Sequence, residues 1–166
     1  MMRTTTINWQ RVILGGLLAG LIINAVELVL NGVILQKDWA AAMKAMGRPE
    51  NLTGAQIAAF NVTGFLIGIF AIWLYSAIRP RYGPGPKTAA CAGAAVWTIG
   101  YLLPSIAPML LHILPRRLMA TGILVGLGEI IVGALAGAWL YKEPVFLWCW
   151  SPPRAPRTAG ESSGTG

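Results

Sequence analysis

Apolar residues run through this chain in four long blocks, 12–35, 57–78, 88–114 and 118–141, and most of the charged and turn-forming residues fall between them. Each block exceeds the roughly 20 apolar residues that a helix needs to cross about 30 Å of hydrocarbon. Backbone amides within lipid must bond inside their own segment, so the blocks predict helices. The expected fold is all-α: a bundle of four transmembrane helices within 12–143, preceded by a short N-terminal segment, 1–11. The first block is longer than a typical signal-peptide core and contains Asn24, Glu27 and Asn31, so it reads as a retained span.

The connections carry patterns of their own. In the first, Trp39, Ala42, Met43 and Met46 fall at i, i+3, i+4 and i+7, which predicts a short helix lying on the membrane surface. Gly47 and Pro49 stop it, and Thr53 with Gln56 has the spacing of a capping box, placing the start of the next helix near Gly54. The stretch from Arg79 to Lys87 holds Pro80, Gly83, Pro84, Gly85 and Pro86, and predicts a turn that no helix enters. Pro115, Arg116 and Arg117 are the whole of the third connection, so the third and fourth spans form an antiparallel hairpin. Segment 144–166 begins with Phe146, Trp148 and Trp150, an interfacial aromatic anchor, and continues as a Pro-, Ser-, Gly- and Thr-rich tail expected to lack a fold.

Composition narrows the class. With 55% hydrophobic and 11% charged residues, the chain has too little polar surface for a soluble globule. Its net charge of +7 is spread over span ends and not gathered on one face, which fits a lipid bilayer and not nucleic acid. Arg3, Arg11, Arg79, Arg81, Lys87, Lys142, Arg154 and Arg157 lie on the side of the termini; Lys37, Lys44, Arg48, Arg116 and Arg117 lie on the other. That imbalance predicts a multi-pass protein of the cytoplasmic membrane with both termini in the cytoplasm.

Helix faces locate the candidate chemistry. Gly16, Gly20, Asn24, Glu27 and Asn31 share one stripe of the first span, Asn61, Gly64 and Gly68 one stripe of the second, and Gly122, Gly126, Glu129, Gly133 and Gly137 one stripe of the fourth, at 100° per residue. Small residues four apart let helices approach closely in lipid, so these eight glycines are packing candidates. Glu27 and Glu129 are the only acids inside the apolar blocks, and no Lys or Arg lies within a span to pair with them. Sharing the packing stripe, both should face the bundle interior, where a carboxylate must be protonated, share a proton or meet a cation. They are candidates for proton or cation binding, with Asn24, Asn31, Asn61, Tyr101 and His112 lining an approach from the half of the bilayer away from the termini. The competing reading is a protonated Glu donating a hydrogen bond to Asn24 or Asn61.

In the third span Trp97, Tyr101, Pro104, Ser105, Pro108 and His112 share a face, and each proline removes an internal hydrogen bond. Pro104 and Pro108 are hinge candidates, or ordinary prolines whose freed carbonyls neighbours satisfy.

Two classes of function follow. The first is a small proton- or cation-linked transporter or permeation protein built on the Glu pair, with a homodimer needed to enclose a path. The second is an accessory protein packing against a larger membrane partner through its glycine seams. An intramembrane enzyme has no support: no H-E-x-x-H, G-x-S-x-G or phosphate-binding glycine loop is present, and neither a cofactor nor a metal is expected. The run Gly16-Leu17-Leu18-Ala19-Gly20, with Asn24, Glu27, Asn31-Gly32 and the loop from Trp39 to Met46, resembles small uncharacterised four-span membrane proteins of bacteria over about residues 11–142. The resemblance implies the architecture and a bacterial cell membrane; it implies no activity.

Overall fold

The computed structural model describes residues 7–141. Among them there is no strand, and four helical units are long and apolar enough to cross a membrane: Trp9–Ile34, Gly54–Tyr82, Pro86–Leu110 and Arg116–Leu140. The chain is a multi-pass membrane protein with a helical bundle. Arg3, the charges from Lys142 onward and the Phe146–Trp150 anchor lie outside the described residues.

The first unit is α1 (Trp9–Val29), capped by the Asn8 side chain accepting from the Arg11 N–H at 3.2 Å, and it continues as a π-helical turn over Leu30–Ile34. The short surface helix is α2 (Gln36–Ala45), and the chain turns away at Gly47, whose φ of 67 suits glycine. The second span is α3 (Gly54–Tyr82), opened by the expected capping box of Thr53 and Gln56.

Several boundaries differ from the sequence reading: helices enter the 79–87 stretch from both sides, the later one beginning at Pro86, and Arg116 and Arg117 open the fourth span's helix instead of forming the connection before it. Helix α3 runs through Pro80 and ends only at Gly83, whose N–H reaches the Arg79 carbonyl at 2.9 Å. A proline in the last turn forfeits one hydrogen bond without interrupting further turns, so the glycines at φ 82 and 148, Gly83 and Gly85, are what stop the helix. The third span comprises α4 (Pro86–Trp97), a π-helical turn over Thr98–Leu102 and α5 (Leu103–Leu110). It stops four residues short of the expected end. His112 adopts a φ of 52, and the turn leads into α6 (Arg116–Leu140).

Helix α1 packs most extensively on α3 and next on α6, and the third span closes the bundle against α6 and α3. Glycine makes these approaches possible. A Cβ on Gly15 would lie 2.6 Å from the Gly137 carbonyl oxygen, and one on Gly137 would lie 2.5 Å from the Gly15 carbonyl oxygen. On the other side of α1, Gly16 meets Ile69, Gly20 meets Phe65 and Gly68 meets the α1 backbone at Gly16 and Gly20. Gly64 abuts the Asn24 amide and Gly133 the Ala19 carbonyl. Gly122 differs from its expected role, since a Cβ there would meet nothing within 4 Å.

Close packing is concentrated toward the termini, where Val12, Ala19, Ile72, Ala89 and Ala92 are fully buried. At the loop end residues 54–63 of α3 are all exposed and α5 has no buried residue. Leu30, Leu35 and Leu118 still form a small buried cluster there, so the opening at the loop end runs along α3 and α5 and not between the first and fourth spans.

Candidate functional site

The loop end of the first span presents Asn24, Glu27 and Asn31 at i, i+3 and i+7, one stripe of a helix. Asn31 already lies in the π-helical turn, which closes through the Leu35 N–H to the Leu30 carbonyl at 2.8 Å. The Asn31 amide Nδ2 donates to Glu27 Oε2, and the Trp39 indole Nε1 on α2 donates to Asn31 Oδ1 at 2.8 Å. A chain of polar contacts therefore runs from the surface helix down to the Glu27 carboxyl.

The second π-helical turn places the opposite partner. It closes through the Leu103 N–H to the Thr98 carbonyl, immediately before Pro104, which has no N–H to offer. Within this turn Tyr101 points at both acids: its hydroxyl oxygen is 3.1 Å from Glu27 Oε1 and 2.9 Å from Glu129 Oε1. Gly126, one turn before Glu129, makes the space, since a Cβ there would sit 2.7 Å from the tyrosine ring. Single π turns inside helices recur at functional sites because they redirect side chains that a regular helix would send elsewhere. Here both carry a residue of the cluster.

Counting protons shows what this geometry requires. A phenol has one hydrogen, so Tyr101 can donate to only one carboxylate. With both acids ionised, the second contact would bring two electron-rich oxygens together with nothing between them. One proton on either carboxyl completes a chain in which one acid donates to the phenol and the phenol donates to the other. Glu129 is only 4% exposed, and its Oε2 has no hydrogen-bond partner among the described residues. An ionised oxygen buried in that way is costly. Chemically, the arrangement is satisfied by one proton shared across the two carboxyls or by a cation beside them.

Glu27 also faces outward, into a cleft of about 490 Å³ between α1, α3 and the first loop. Asn24, Asn31, Asn61 and Tyr101 line it as well, and most of the remaining lining is apolar, including Leu28, Leu52, Ile57 and Phe60. The Asn24 Nδ2 donates to the Asn61 backbone carbonyl at 3.1 Å, and the Asn61 Nδ2 donates to the Ile57 carbonyl at 2.8 Å. Glu129 is not part of the lining and stands behind Tyr101.

Most of the polar candidates thus converge, and His112 does not. It is exposed in the turn after α5, with Nδ1 3.0 Å from the Leu110 carbonyl and Nε2 3.1 Å from Arg116, and it does not line the cleft. The third span ends before reaching it. Pro104 follows the π turn as the second residue of α5, and Pro108 lies one turn further on. The part played by Trp39 is absent from the sequence reading, because a surface-helix tryptophan carries no mark of which polar group its indole reaches.

Comparison with protein-family models, with curated proteins and with solved structures finds no match.

Proposed function

We propose that this protein is a small proton- or cation-linked transporter in which Glu27 and Glu129 exchange a shared proton for an incoming cation. The observation that carries the proposal is the single Tyr101 hydroxyl lying within hydrogen-bonding distance of both carboxyls. Glu27 meets the cleft while Glu129 is buried behind the tyrosine, so a cation entering at Glu27 leaves the proton a route to or from Glu129 through the phenol. At the rim of this half of the bundle Lys44 pairs with Glu50 and Asp38 with Arg117, each pair at 3.8 Å, Arg116 meets His112, and Lys37 and Arg48 are not among the residues lining the cleft. The outer half of α3 brings no titratable group.

In this reading the chain sits in a bacterial cytoplasmic membrane with both termini in the cytoplasm, and the cleft opens toward the outside. A second copy completes the path, because four spans enclose little volume by themselves. The accessory reading has less support: Gly15, Gly16, Gly20, Gly64, Gly68, Gly133 and Gly137 are used for packing within the chain and are not offered to a partner.

The test is proton movement in proteoliposomes carrying an internal pH dye and challenged with Na⁺, K⁺ and organic ammonium ions. The wild type should give cation-dependent proton flux, and the Glu27→Gln, Glu129→Gln double variant should give none. Equal flux in both defeats the proposal.

A further inference from the structure

We infer that the cation admitted by the cleft is an amine that still carries N–H hydrogens on an apolar body, which names the substrate class for the transport reading and rests on it.

Charge sets the first limit. Glu27 and Glu50 line the cleft, Glu129 stands behind Tyr101, and no Lys or Arg is among the lining residues. An anion brought there would lose its water in front of carboxyl groups without a compensating donor charge.

Hydrogen bonding sets the second. Every side-chain nitrogen donor at the cleft already makes one hydrogen bond inside the protein, each asparagine amide keeping a second N–H: Asn24 and Asn61 Nδ2 on backbone carbonyls, Asn31 Nδ2 on Glu27, and Trp39 Nε1 on Asn31. A carbonyl faces only a donor, so the orientation of the Asn24 and Asn61 amides is fixed. Both residues line the cleft, the Asn24 oxygen lying against Gly64 of α3, and among the described residues no hydrogen bond reaches Asn24 Oδ1 or Asn61 Oδ1. Acceptors in want of donors, beside a carboxyl, match an ammonium with N–H groups. A quaternary ammonium supplies the charge and leaves the acceptors unpaired, at a cost.

Size and placement set the third. The cleft is far larger than an inorganic ion requires and falls within the roughly 300–1,000 Å³ of small-molecule sites. Along α3, apolar Ile57 and Phe60 lie nearer the loop than Asn61, so an occupant must carry its polar group past apolar walls. A phospholipid seated in the same leaflet is oriented the other way, with its head at the loop end.

The test uses four molecules with one apolar body: 3,3-diphenylpropylamine, its N,N,N-trimethyl derivative, 3,3-diphenylpropanol and 3,3-diphenylpropanoate. Binding is measured to the full chain in nanodiscs, with empty nanodiscs subtracted, at a pH where the amine is charged. The amine should bind saturably and at least tenfold tighter than the trimethyl derivative or the alcohol, and the carboxylate should show no saturable binding. Glu27→Gln should weaken amine binding at least tenfold. Asn61→Leu, at an exposed position that a misfolding objection does not reach, should erase the preference for the amine over the trimethyl derivative. Equal affinity for those two, or amine binding unaffected by Glu27→Gln, or no uptake beyond empty nanodiscs overturns the inference. If the amine fails to bind while cation-dependent proton flux through both carboxyls persists, the substrate class is wrong and the transport reading survives; if the flux is absent as well, both fall.

Discussion

Trp39 on the surface helix donates its indole N–H to Asn31 Oδ1 at 2.8 Å, and Asn31 in turn donates to Glu27. The position of α2 is therefore tied to a carboxyl inside the bundle by two successive side-chain contacts. Trp39→Phe removes the donor and keeps an aromatic ring. A neutral hydrogen bond contributes about 0.5–1.5 kcal/mol, so opening of α2 should become several-fold more frequent, up to about tenfold. Hydrogen exchange of the backbone amides of 36–45 in nanodiscs measures it, and an unchanged rate means that α2 is held by its apolar face alone.

Tyr101→Phe tests the centre of the cluster. The ring keeps its place against Gly126, while two carboxyl contacts disappear and leave the buried acid with less support. Leaving buried polar groups unsatisfied costs about 1–3 kcal/mol, so the midpoint of denaturant or thermal unfolding should fall accordingly. Cation-dependent proton flux should be lost in the same variant, because the link between the acids is the phenol. A destabilised protein with normal flux would show that the proton passes between the carboxyls directly.

The glycines divide into two groups with opposite expected behaviour. Gly137→Ala places a methyl against the Gly15 carbonyl and the Ile72 side chain, both 2.5 Å from the new carbon, so α1 and α6 must separate. Overpacking of this kind typically costs about 1–3 kcal/mol. Gly122→Ala and Gly128→Ala meet nothing within 4 Å and exchange a poor helix former for the best one, a gain of up to about 1 kcal/mol. Thermal unfolding of the three variants in one detergent should rank Gly137→Ala lowest, with the other two at or above the wild type.

How far the sequence reveals this structure depends on which physical demand each feature answers. Spans were legible because hydrocarbon imposes length and apolarity on every crossing segment. The α3 capping box was legible because Thr53 and Gln56 satisfy each other locally. Pro80 misled because a proline count ignores position within the last turn. Gly126 carried the same small-residue signal as Gly16 or Gly68, yet it accommodates an aromatic ring and not a helix backbone. The meeting of Glu27, Tyr101 and Glu129 lay beyond a regular helical wheel, since it passes through the π turn of Thr98–Leu102, and Gly100 with Pro104 is the only local mark that the third span departs from regularity there.

Orientation has its own test, because the excess of Lys and Arg on the side of the termini is small. Met46 is exposed in the turn after α2, and Tyr82 is exposed at the opposite end of α3. In a chain whose Cys91 and Cys149 are replaced by alanine, Met46→Cys and Tyr82→Cys each introduce one thiol without altering the charge balance that sets topology. A membrane-impermeant maleimide applied to intact bacterial cells should label Met46→Cys and should reach Tyr82→Cys only after permeabilisation. The reverse pattern would turn the cleft toward the cytoplasm, so that any cation bound at Glu27 would enter from inside the cell and the carrier would work as an exporter loaded from the cytoplasm.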